Sequence, residues 1–110
     1  MCRALKVLCV AETPQALAEL KRAAVSADWE LAPGATSEAE ALRQLHEEHP
    51  HVAVVFGDLG GFVTRALEAV PYLRVIADRD LPGASVVATS LGEVRGAVKG
   101  QPRPGGPVRS

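Results

Sequence analysis

Large flat side chains are scarce in this sequence. One Trp, one Tyr and two Phe make up 4% of its 110 residues, so a core has to be built from Val, Leu and Ala. No apolar run approaches the roughly 20 residues that span a bilayer, which argues against a membrane segment. The N-terminus lacks the charged, apolar and small-residue succession of a secretory signal, so a cytoplasmic location is the default expectation. An excess of charge of one sign is missing too. The formal net charge is −1, which excludes a global basic field for nucleic acid. Cysteine is limited to Cys2 and Cys9. Cys9 lies among Val7, Leu8 and Val10, where a thiol packs as a small hydrophobe. Extended geometry keeps Cys2 from folding back to pair with it. What is present is apolar mass: 47% hydrophobic residues, enough for one compact domain.

Punctuation along the chain is clear. Leu5 to Val10 is an apolar run that reads as a strand buried on both faces. Thr13 can cap a helix with Pro14 at its first position, and Leu17, Leu20 and Ala24 share one face. Trp29 to Ala32 reads as a short strand near an edge, ended by Pro33-Gly34. Ser37-Glu38-Ala39-Glu40 is a capping box; Leu42 and Leu45 follow on one face, and Pro50 stops the helix. Val52 to Phe56 is the most continuous apolar run and reads as a central strand. Gly57, Gly60 and Gly61 read as a loop, Phe62 to Val70 as a helix ended by Pro71, Leu73 to Ala77 as a fourth strand and Ser85 to Thr89 as a fifth. Ser90-Leu91-Gly92-Glu93 is a second capping box, opening a helix to about Lys99. Residues 1–99 are then one domain. The Pro- and Gly-rich stretch 100–110 reads as a disordered tail.

Strands alternating with helices through short connections predict an α/β fold with a mainly parallel sheet. Right-handed crossovers put helices on both faces, and the economical order is the flavodoxin-like 2-1-3-4-5. One link resists. Only "DRDLPGA" separates Ala77 from Ser85, whereas a parallel crossover takes about a dozen residues or more. One crossover helix is therefore missing before the last strand. The turn chemistry of Leu81-Pro82-Gly83-Ala84 predicts that the fifth strand returns antiparallel or pairs loosely.

"VLCVAETP" and "EALRQLHEEHPHVAVVF" resemble the opening strand, second helix and third strand of a receiver domain, the phospho-accepting module of response regulators. In that family, carboxylates after the first strand hold Mg²⁺, an Asp ending the third strand accepts the phosphoryl group, and a hydroxyl and a Lys bind its oxygens. The resemblance puts those positions on Glu12, Phe56, Asp78 and Ser90. One carboxylate survives, the acceptor is Phe and the Lys is gone. "VTRALEAVPYLRVIAD" is similar, more locally, to the substrate-side domain of D-2-hydroxyacid dehydrogenases, which implies shared architecture and no activity.

The reading is a non-catalytic, pseudo-receiver-like regulatory or interaction module that works without phosphorylation, is not an enzyme and needs no cofactor. An alternative keeps a phospho-acceptor or divalent-cation site: Asp58 lies two residues past Phe56 and, on an extended strand, would share its side, so Glu12, Asp58 and Asp78 would form a rim for Mg²⁺. A further alternative is a small-ligand module binding at the strand C-termini. The missing helix predicts an apolar sheet face left open around Leu73, Val75, Val86 and Ala88, and thus a protein partner or a homodimer. His46, His49 and His51 in "HEEHPH" lack the spacing of a metalloprotease helix and suit a helix C-terminus without a metal. "GDLGG" is not a dinucleotide loop. Trp29 and Tyr72 are expected to be partly buried in the core.

Overall fold

The computed structural model describes residues 5–27, 29–81 and 83–99. Cys2 and the 100–110 tail lie outside them. The element order is β1 (Leu5–Ala11), α1 (Pro14–Ala24), β2 (Trp29–Leu31), α2 (Glu38–Glu48), β3 (Val52–Phe56), α3 (Gly60–Ala69), β4 (Arg74–Ala77), β5 (Val86–Val87) and α4 (Leu91–Lys99). The strands form one five-stranded sheet in the order β2-β1-β3-β4-β5, and every neighbouring pair is parallel.

Side-chain alternation along the strands builds two apolar layers. Leu5, Val7, Cys9 and Ala11 of β1, with Val52, Val54 and Ile76, face Leu20 and Ala24 of α1 and Val94 and Val98 of α4. Leu8, Val10, Ala53, Val55, Val75 and Ala77 face Ala41 and Leu45 of α2 and Phe62, Val63 and Ala66 of α3. Both faces of β1 and β3 are thus covered, as their unbroken apolar runs require.

Local chemistry sets the helix starts. Thr13 Oγ1 accepts the Ala16 N–H at 3.1 Å, with Pro14 opening α1. Ser37 Oγ accepts the Glu40 N–H at 3.3 Å. Glu40 reaches back one residue further than the capping box predicts, to the Thr36 N–H at 3.4 Å. Glu93 does the same at α4, where Oε1 accepts the Thr89 N–H at 3.3 Å. α3 begins at Gly60, so the glycine pair expected in a loop forms its first turn. Trp29 is buried and its Nε1–H donates to the Ala24 carbonyl at 2.7 Å. Tyr72, expected in the core, is 74% exposed.

The fifth strand departs from expectation. It runs parallel to β4, with Ile76 beside Val86 and Ala77 beside Val87. The short link suffices because β5 is only two residues long. The chain has to drop only from Ala77 to the level of Val75, where the Ser85 N–H meets the Val75 carbonyl at 2.8 Å, a descent of about 7 Å at the rise of an extended strand. The predicted turn lies within the link: the Ala84 N–H donates to the Leu81 carbonyl at 3.0 Å, and Gly83 has φ 92°. A side chain at Gly83 would sit 2.5 Å from Leu67 Cδ1, so the link lies directly on α3.

That path also closes the Leu73 and Val75 part of the predicted open face. Leu81 is buried in the layer that holds Leu73 and Val75, and Ala84 packs against it. Leu73 and Val75 are buried there. Ala88 is buried and Val86 half-buried on the other side of the sheet, in the layer of α1 and α4. The four residues expected to share an open face thus lie on two covered faces. A few apolar side chains of an irregular segment cover what a crossover helix would have covered.

Candidate functional site

The C-terminal rim of the sheet gathers the charged residues that follow β1, β3 and β4. In-register pairing sets Ala11 beside Phe56, so Glu12 and Gly57 leave the sheet side by side. Gly57 adopts φ 123°, and a Cβ on it would lie 2.5 Å from Glu12 Cγ. The Gly57 N–H donates to Asp78 Oδ1 at 3.2 Å. Glu12 from above and Asp78 from the side thus converge on one glycine.

Asp58 does not extend this arrangement along a strand. β3 ends at Phe56, and the positive φ of Gly57 turns the chain before Asp58. The side-sharing expected of Asp58 and Phe56 needed two more extended residues, and the chain does not supply them. Asp58 is exposed beyond the turn. Among the described residues no group of three or more His, Cys, Asp or Glu side chains is placed to hold a metal ion. Glu12, Asp58 and Asp78 share a rim without forming one coordination shell.

The cation at this rim is Arg79. Its Nε lies 3.1 Å from Asp78 Oδ1 and its terminal nitrogen 3.4 Å from Oδ2. The Asp78 hydrogen bond, then the Asp78 charge, raise the guanidinium above its ordinary value, and the charges of Asp58 and Glu12 add to this. All of the predicted carboxylates therefore act on one side chain that the sequence reading did not single out. The available signal was position: Arg79 is the second residue past β4, at the sheet edge where such folds gather their polar groups.

At the position where the receiver resemblance puts the phospho-acceptor, Phe56 is half-buried and packs against the α1–α4 layer. Ser90, at the position of the phosphate-binding Lys, accepts the Glu93 N–H through its carbonyl at 3.1 Å and precedes α4. His46 and His49 are exposed, and His49 ends α2 in the left-handed region at φ 52°. Cys9 is fully buried, and burial pushes its thiol up to about 12.

No protein-family model and no curated protein sequence matches the chain. Solved structures do. A CheY-like response regulator receiver domain from Methanospirillum hungatei superposes with a TM-score of 0.72 at 14% identity, covering 88% of this chain and 92% of that one. The receiver domain of the putative response regulator NarL from Mycobacterium tuberculosis gives 0.68 at 23% identity, covering 90% and 99%. The isolated receiver domain of RcsB from Salmonella enterica, determined with the phosphomimetic BeF3−, gives 0.68 at 13% identity, covering 88% and 87%. At these identities the likeness is one of fold. The chain thus has the CheY-like receiver fold of response regulators, a parallel sheet in the order 2-1-3-4-5 carrying four helices.

Proposed function

We propose that this chain is a non-catalytic, receiver-like regulatory module of the cytoplasm that acts through a protein partner and independently of phosphorylation. One observation carries the reading: Phe56 ends β3 and packs into the apolar layer where a receiver presents its acceptor carboxylate. A phenyl ring has no oxygen with which to attack phosphorus. Phosphoryl transfer also relies on a cation to offset charge developing on the transferred oxygens. Here Arg79 already sits against Asp78, so the cation the fold places at the rim is engaged by a carboxylate of the chain itself.

Self-association belongs to the same proposal, with a changed surface. Burial of Leu73, Val75 and Ala88 removes the sheet face as a motive. What remains on that side is the short β5 edge, where Val87 is 42% exposed. Sedimentation over a wide concentration range reads the oligomeric state directly.

The competing reading, a phospho-acceptor with Mg²⁺ bound at Glu12 and Asp58, draws on the exposure of Asp58 beside the rim. Incubation with acetyl phosphate and Mg²⁺ followed by intact-mass measurement separates the two. The proposal expects an unchanged mass. A phosphoryl increment that disappears in Asp58→Ala overturns it. A nucleotide and acyl-compound thermal-shift screen tests the small-ligand alternative.

A further inference from the structure

The "HEEHPH" stretch plays no part in the rim, which lies at the opposite end of the sheet. We propose that His51 is a proton-sensitive latch that closes the N-terminal edge of the sheet between β1 and β3. The argument starts from a backbone group. In a parallel ladder the Lys6 N–H would meet a carbonyl of the neighbouring strand. β3 begins only at Val52, because the chain turns at His49 (φ 52°) and Pro50, so no strand carbonyl is there. The His51 side chain takes its place: the Lys6 N–H donates to His51 Nδ1 at 3.1 Å. The backbone is fixed on both sides, with the His51 N–H on the Lys6 carbonyl at 2.9 Å and the Arg74 N–H on the His51 carbonyl at 3.2 Å.

A donor opposite Nδ1 requires that nitrogen to carry a lone pair, so the latch works with neutral imidazole. A proton on Nδ1 would face the Lys6 N–H as one donor against another and leave a part-buried amide without its partner. The charged groups around it come from each neighbouring element. Lys6 of β1 is paired with Glu48 of α2, Nζ to Oε1 at 2.7 Å. Glu30 of β2 lies in register with Lys6. His49 follows α2, and Arg74 of β4 is exposed beside His51.

Because the Lys6 N–H needs a lone pair on Nδ1, the folded chain resists the proton. The latch therefore stays closed through the ordinary imidazole range, about 6.5, and opens below it. The test is denaturant unfolding at about pH 7.5 and about pH 5.5 of the full chain, of His51→Asn, whose amide oxygen can stand where Nδ1 does, and of the His46→Asn/His49→Asn pair. The wild type and the pair variant should show the unfolding constant rising about fivefold on acidification, because the unfolded chain takes up a proton that the closed latch resists; His51→Asn should stay nearly flat. Equal pH dependence in wild type and His51→Asn, or none in the wild type, would overturn the latch. Should His51→Asn fail to fold, an amide NMR titration of the wild type decides: the Lys6 amide must shift with the His51 proton, and an invariant Lys6 amide across that range refutes it.

Discussion

The carboxylate of Glu12 lies across the Cα of Gly57, with Oε1 only 2.6 Å from where a Cβ would stand. The contact is possible because residue 57 has no side chain and holds φ at 123°, a conformation that L side chains rarely adopt. Gly57→Ala should destabilise the domain by about 1–3 kcal/mol through backbone strain, measured by denaturant unfolding. Glu12 is exposed and can swing away, so Glu12→Ala in the same chain should restore little of that loss.

Gln44 is the buried polar side chain of the described core, and it clamps a second turn. Its Oε1 accepts the Gly34 N–H at 2.9 Å and its Nε2 donates to the Gly34 carbonyl at 2.6 Å. Gln44→Ala strips both partners from a buried peptide unit. A loss of about 2–4 kcal/mol is expected from two unmet backbone groups, again by denaturant unfolding. Gln44→Glu puts a buried carboxylate oxygen against the Gly34 carbonyl and should cost at least as much as alanine near neutral pH.

Cys9 should be inert in the folded chain. Burial raises its thiol from 9.0 to about 12, against a smaller lowering by Lys21. In a Cys2→Ser background, a disulfide reagent at about pH 8 should label Cys9 only as fast as the domain opens. The same shift carries a sign for stability. The folded state keeps the proton that the unfolded state gives up, so this contribution is complete below pH 9.0 and is lost as pH rises from there towards about 12. Cys9→Ala should reduce the alkaline part of the stability profile's slope.

Much of this architecture is legible in the sequence because its signals are local. Apolar runs such as Leu8–Val10 and Val52–Val55 report burial on both faces, and Thr13-Pro14, Ser37 and Pro50 mark where helices begin and stop. The β5 pairing was harder to see, since it depends on a length that no residue announces: a two-residue strand shrinks the crossover that link length seemed to forbid. Closure of the Leu73–Val75 face hangs on Leu81, one apolar residue inside what reads as a polar turn. At the rim, Glu12 and Asp78 were recognisable from where they stand in the chain. The role of Arg79 was hidden because a charge between two aspartates reads as solvated, and only the fold shows that Glu12 and Asp58 also act on it.

The most direct test of a rim unable to handle phosphate is an amide NMR titration of the full chain with Mg²⁺ and then BeF3−, following Gly57, Asp58 and Arg79. The account predicts no saturable change at these amides with either reagent, in the wild type and in Asp58→Asn alike. Saturable Mg²⁺-dependent shifts at Gly57 and Asp58 that grow on adding BeF3− and vanish in Asp58→Asn would contradict it.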